Sequence, residues 1–193
     1  MADEATPAGD APGSGHNKPK YEWPRFQKKR TFVRALEGTY AHLLGLVQNQ
    51  PRVFSSSSFK WEGGPQSYGK PVINPMNTDI AQSIETHFHV FAPGGHNKKH
   101  GHMNSAVFYV IRGEGYDVHD GERMDYEAGD CLIVENGCVH QHFNSSDTDE
   151  MMVLIMKAKP LFLFMHMLFQ KNASMPPEEP VPGWEEYRPP ADY

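Results

Sequence analysis

The chain has 193 residues, of which 38% are hydrophobic, enough for one sizeable core with tails and not for two. Its formal net charge of -6 offers no basic footprint, so neither nucleic acid nor an anionic membrane surface is an expected partner.

Residues 1–22 are rich in Gly, Pro, Ala and charge and have almost nothing to bury, which predicts a disordered leader. They lack a basic start followed by an apolar run, so no secretory or mitochondrial signal is expected and the setting is cytoplasmic. From Trp23 to Gln48, apolar residues recur at helical spacing (Phe26, Val33, Leu36, Tyr40, Leu43, Leu44, Val47). Pro, Gly and Ser punctuation over 49–77 then predicts loop with short extended pieces, so that 23–77 packs as helix and loop on a β-rich body beginning near 78.

From Asp79 the period changes to two. The segment "IAQSIETHFHVFAPGG" alternates, the run from Ala106 to Gly137 divides into three short strands at Gly-containing turns, and the run from His140 to Pro160 supplies two more. Asp120-Gly121 is a hairpin signal because both residues tolerate positive φ. Many short antiparallel strands over 78–160 predict an all-β barrel or jelly-roll. Cys131 and Cys138 fall at strand and turn positions and read as free thiols. The run "LFLFMHMLF" at 161–169 is far short of the roughly 20 residues that span a bilayer and belongs to a core or a subunit interface. Pairing of barrels explains it best, so a homodimer or homotetramer is expected. Beyond Pro176 the chain is too Pro-rich for regular structure and predicts an extended tail.

His100 and His102 are two apart, which on a strand puts both imidazoles on one face. His140, His142 and Asn144 repeat that parity downstream. If the two strands line one interior, three imidazoles can converge. His87, His89, His96 and His119 have no comparable constellation and default to surface or strand positions.

Glycines frame both histidine groups. Gly94, His100, His102 and Gly113, followed by Gly129, Gly137, His140 and Asn144, are spaced as in the two motifs of the cupin superfamily, and the chain resembles that family over about 78–158. Two positions depart: the family's usual Glu ligand falls on Ala106 and its usual Pro on Glu135. The stretch "HGHMNSAVFYVIRGEG" is similar to gentisate 1,2-dioxygenases and to salicylate or hydroxynaphthoate dioxygenases, through His100, His102, Ser105, Ala106, Gly113 and Gly115. Those enzymes generally carry two barrels, whereas this chain has room for one.

The resemblance implies a cupin-type antiparallel barrel holding ferrous iron, or another divalent metal, through His100, His102 and His140. It implies O2 and a small anionic substrate that carries a hydroxyl beside its carboxylate. Loss of the carboxylate ligand raises the charge at the metal, which favours an anionic chelator. His142 is the candidate proton relay, with substrate donor or mere neighbour as the alternatives. Asn104, Ala106, Arg112, Gln141 and Asn144 are candidate substrate contacts, although Asn144 is also explained by a turn hydrogen bond. A non-catalytic metal-binding barrel and a metal-assisted isomerase or lyase remain rival readings.

Overall fold

The computed structural model describes residue 49, residues 51–75 and residues 83–193. The leader expected over 1–22 and the helical pattern over 23–48 lie outside the described residues. Among the described residues no helix is long and apolar enough to cross a membrane.

The described chain is almost entirely antiparallel β-structure. β1 (Glu62–Gly63), β2 (Ser67–Ile73), β3 (Glu85–Phe91), β4 (His100–His102) and β5 (Ala106–Arg112) come first. They are followed by β6 (Glu114–His119), β7 (Glu122–Glu127), β8 (Cys131–Val134), β9 (Val139–Asn144) and β10 (Met151–Lys157). A short helix α1 (Lys159–Phe164) and β11 (Gln170–Asn172) complete the regular elements. One sheet has the order β1-β2-β3-β10-β5-β8 and the other β11-β4-β9-β6-β7, the crossed-over strand order of a jelly-roll barrel.

Two expectations are corrected here. The run from Ala106 to Gly137 holds four strands rather than three, because Gly113 divides what reads as one apolar stretch. Gly113 takes φ 84, and a Cβ there would stand 2.7 Å from the carbonyl oxygen of Glu150, so only glycine lets the chain turn there against β10. The region expected to be loop with short extended pieces contains a longer one, β2, a seven-residue strand paired with β3 despite carrying Gly69 and Pro71. The barrel's sheet therefore begins near residue 62, upstream of the expected start at 78.

Period-two alternation sets what faces inward. On β5, Ala106, Phe108 and Val110 are buried while Val107 and Tyr109 are exposed. On β10 the inward face runs Met151, Val153, Ile155, Lys157 from one end of the barrel to the other. Phe91, Val110, Tyr126, Met151 and Val153 form an apolar plug at the first end, with Phe108 and Ile155 above it. Burial of each large side chain contributes about 1.5–3 kcal/mol. The plug leaves the polar inward residues gathered at the opposite end, where the strands end in His100, Ala106, His140 and Lys157.

Past β11 the chain has no further helix or strand and crosses the outside of the first sheet. Trp61 Nε1 donates to Pro190 O (3.0 Å), Tyr187 OH donates to Glu150 Oε2 (2.7 Å), and the Tyr193 ring meets Phe88 edge-on at 5.2 Å. α1 and the residues after it leave Leu161, Leu163, Phe164, Met165, Met167 and Phe169 exposed.

Candidate metal centre and pocket

His100 and His140 are direct partners in the β4–β9 ladder, and His102 shares the face of His100. Their ring centroids are 4.3 Å apart for His100 and His140, 4.8 Å for His102 and His140, and 5.6 Å for His100 and His102. One nitrogen from each ring lies within 4.8 Å of the others, close enough to share an ion.

The aim of each ring is set by backbone. His100 Nδ1 lies 3.0 Å from Lys98 O, His102 Nδ1 2.6 Å from Asn104 O, and His140 Nδ1 3.3 Å from Cys138 O. A carbonyl only accepts, so each Nδ1 carries the proton and each Nε2 keeps its lone pair for a ligand. Burial, with electrostatic coupling to neighbouring His142, pushes the His100 imidazole down to about 3 and that of His140 to about 2; burial also lowers His102. All three rings are therefore neutral near pH 7, the form that binds a metal. The donor set, its tautomers and its spacing fit a divalent ion with imidazole preference.

His142 lies beside them, packed 4.4 Å from the Phe108 ring, with Nδ1 2.7 Å from Asp117 Oδ2. The same carboxylate oxygen lies 3.0 Å from His119 Nε2, and Tyr126 OH donates to the other oxygen from 2.9 Å. Burial alone would raise the Asp117 carboxyl, but electrostatic attraction to His142 and the hydrogen bonds from His119, His142 and Tyr126 outweigh it and hold Asp117 well below the usual carboxylate range. His119 Nδ1 in turn meets Glu135 Oε2 at 3.0 Å, and the hydrogen bond to Asp117 raises the His119 imidazole. A continuous line of side chains thus runs from the pocket through His142, Asp117 and His119 to Glu135, whose side chain is 59% exposed.

These rings open into a cavity of about 420 Å³, with Ala106, Phe108 and Ile155 as its apolar wall. His87 and His89 line it as well, from the inward face of β3. The sequence pattern leaves both at surface or strand positions with no part in a site; they are on a strand, and because Glu85, His87, His89 and Phe91 share one face of β3 they also reach the cavity. The His89 ring stacks on Phe91 at 4.5 Å, and its Nε2 is buried with no hydrogen-bond partner. His119, likewise expected at a surface or strand position, is the last residue of β6 and is buried behind the pocket. Asp117, the hub of the network, belongs to no motif and is found only in the fold.

Lys157 also lines the cavity, flanked by Lys98 and Lys159. Burial pushes its ammonium down to about 8, opposed by Glu85 and reinforced by Lys159 and Lys98.

Of the candidate substrate contacts, Ala106 lines the cavity and the other four do not. Arg112 pairs with Glu150 and lies over the Tyr193 ring at the plugged end. A register shift between Met152 and Val153 in the β10–β5 pairing breaks the alternation that would have kept Arg112 on the ligand face. Gln141 has the opposite parity to His140 and His142, and its Nε2 donates to Asn97 O (2.8 Å). Asn104 is buried and serves His102 through its backbone carbonyl. Asn144 Nδ2 donates to Ala92 O (3.0 Å) and Asp149 O (2.8 Å) while its Oδ1 accepts from Ser146 N (3.0 Å), a structural knot.

A family model described as a cupin domain matches residues 87–157. A 1-hydroxy-2-naphthoate 1,2-dioxygenase of Nocardioides sp. (strain KP7) is 30% identical over 108 residues, covering 53% of this chain and 28% of its own. Among solved structures, a salicylate 1,2-dioxygenase from Pseudaminobacter salicylatoxidans is similar at TM-score 0.52 and 20% identity, over 67% of this chain and 34% of that one. Its adducts with gentisate are similar at TM-score 0.51 and 20% identity, over 75% and 36%. At that identity the structural likeness shows the fold. The chain spans only about a third of the solved chains' length and 28% of the curated relative's.

Proposed function

We propose that this chain, whose residues 87–157 are a cupin domain, is a metal-dependent dioxygenase that cleaves a carbon–carbon bond of a small aromatic hydroxy-carboxylate. The observation that carries the reading is the three-histidine group, in which every Nδ1 is occupied by a backbone carbonyl. His100, His102 and His140 would hold the metal. Ferrous iron, when bound, supplies the electrons and the open positions that dioxygen chemistry requires.

The chain's own residues do the rest. Phe108, Ile155 and Ala106 offer an apolar wall for an aromatic ring and displace water from it. The absence of a side-chain carboxylate at Ala106 leaves the three histidines without an anion beside them, so an incoming acid meets no repulsion from that position. His142 takes the proton of the substrate hydroxyl on Nε2, while Asp117 holds Nδ1–H and stabilises the imidazolium that results. The exposed apolar residues of α1 suit cover by a second copy of the chain, which supports a homo-oligomer.

The test is anaerobic loading with ferrous iron followed by oxygen-electrode assays with salicylate, gentisate and 1-hydroxy-2-naphthoate. Oxygen uptake that requires both iron and acid, with loss of the aromatic absorbance, is the expected result. No uptake with any of the three acids sinks the reading. The cupin-domain match shows the fold and not the reaction, and so also admits a second reading, a metal-binding barrel that retains an aromatic acid without turnover. That reading predicts saturable binding with no oxygen uptake. Turnover in anaerobic buffer with zinc would instead mark an isomerase or lyase.

A further inference from the structure

Lys157 occupies an unusual place in the ladder. It is the Cα partner of Ala106 on one side, in the β10–β5 pair, and of Glu85 on the other, in the β10–β3 pair. The inward face of β10 is apolar until this last residue and then presents an ammonium to the cavity that holds His100, His102 and His140. No hydrogen bond or close ion pair engages the Lys157 ammonium among the described residues, and Glu85 reaches it only through longer-range attraction. A glutamate at 106 would stand beside Lys157 and neutralise it; alanine leaves the charge free. Lys98 and Lys159 add positive charge to the same cavity, against the single carboxylate of Glu62, which is exposed.

We propose that Lys157 is the anion anchor of this pocket, pairing its ammonium with the carboxylate of a bound aromatic acid. The inference rests on the reading of the pocket as a site for such acids. A carboxylate has lone pairs enough to accept from Lys157 while still facing the histidine cluster. The apolar wall beneath, from Ile155 to Phe108, then receives the ring. A half-buried cation with no hydrogen-bonded counter-ion and only the attraction of Glu85 is costly, and an incoming carboxylate relieves that cost, so the anchor selects acids over their neutral counterparts.

The test uses the full chain loaded with zinc, so that binding is read without oxygen chemistry. Salicylate and salicylamide share a ring and an ortho hydroxyl and differ in the carboxylate. By calorimetry, Lys157→Met should weaken salicylate about 10- to 100-fold and leave salicylamide unchanged, the loss expected of one charged hydrogen bond. Lys157→Arg should retain salicylate within about tenfold, since the charge survives but the point-charge geometry does not. Ala106→Glu should repeat the selective loss by occupying the ammonium from within. Zinc content and melting temperature of each variant establish that it folds. Equal weakening of both ligands by Lys157→Met, or no weakening of salicylate, overturns the anchor. So does a zinc-loaded wild type that binds neither salicylate nor benzoate. Carboxylate-selective loss in a protein that never consumes oxygen upholds the anchor and removes the dioxygenase reading alone.

Discussion

Asp117 and His142 are partners in the β6–β9 ladder, and their side chains meet at 2.7 Å with both residues buried. An ionised carboxylate only accepts, so His142 carries its proton on Nδ1 and presents Nε2 to the pocket. Asp117→Asn keeps the shape but can donate where it formerly accepted, which permits the wrong tautomer. The expected outcome is a fall in kcat of roughly 100-fold or more with metal content unchanged. Stopped-flow or steady-state rates, set beside metal analysis, check it.

Removal of a single ring from the cluster should act on occupancy first. His100→Ala and His140→Ala are expected to lose stoichiometric metal, and with it the rise in melting temperature that saturating metal produces in the wild type. Elemental analysis and calorimetric scans with and without added metal give the readout. Full occupancy in both variants would mean that other residues hold the ion.

The metal-free protein should weaken toward acid. His89, His100 and His140 have folded values of about 3, 3 and 2, below the ordinary 6.5, chiefly from burial. The unfolded chain takes up these protons first as pH falls through about 6.5, so stability drops from there toward about pH 3. Each such group contributes a slope of up to about 1.4 kcal/mol per pH unit. His119 acts in the opposite sense: its raised value makes its contribution complete below its unfolded value and lost as pH rises through the folded one. The depressed group is the larger set, so the net trend is loss in acid. Urea titrations between about pH 7 and about pH 5 should show the midpoint falling, and bound metal should oppose the fall until it is released.

Asn144 distinguishes a structural residue from a substrate contact. Asn144→Ala leaves the carbonyl of Asp149 and the amide of Ser146 without the Asn144 side chain, and the Ala92 carbonyl with Gly95 N alone. A loss of about 1–3 kcal/mol in unfolding free energy is expected, with KM unchanged. A raised KM at unaltered stability would return Asn144 to the pocket.

The exposed apolar face of α1 carries the last expectation. Phe164 is 53% exposed and Phe169 67%. If a second copy covers them, Phe164→Glu and Phe169→Glu should each shift light-scattering mass from oligomer toward monomer. An unchanged mass would place the subunit contact elsewhere.

Most of the barrel is legible in the sequence because its signals are local. Alternation names the inward face of β5 and β9, and positive φ at Gly113 and Gly137 is what the motif glycines permit. The convergence of His100, His102 and His140 comes from parity plus one pairing. The illegible part depends on which strands neighbour one another. His87 and His89 alternate correctly, yet nothing local shows that β3 lies beside β10 and hence beside the pocket. Asp117 gains its meaning only from the β6–β9 register. Arg112 is displaced by a bulge, which leaves no mark in the residue pattern of its own strand. β2 is hidden by a proline and a glycine that its place in the sheet tolerates.

The three rings of the cluster are each met at Nδ1 by a carbonyl oxygen of the main chain, at Lys98, Asn104 and Cys138, joined at His140 by the Cys138 Sγ at 3.6 Å. Aim is therefore a property of the strand ends, independent of what surrounds them. The walls of the cavity can change identity without turning a single imidazole. A barrel built this way separates the holding of an ion from the choice of the molecule brought to it.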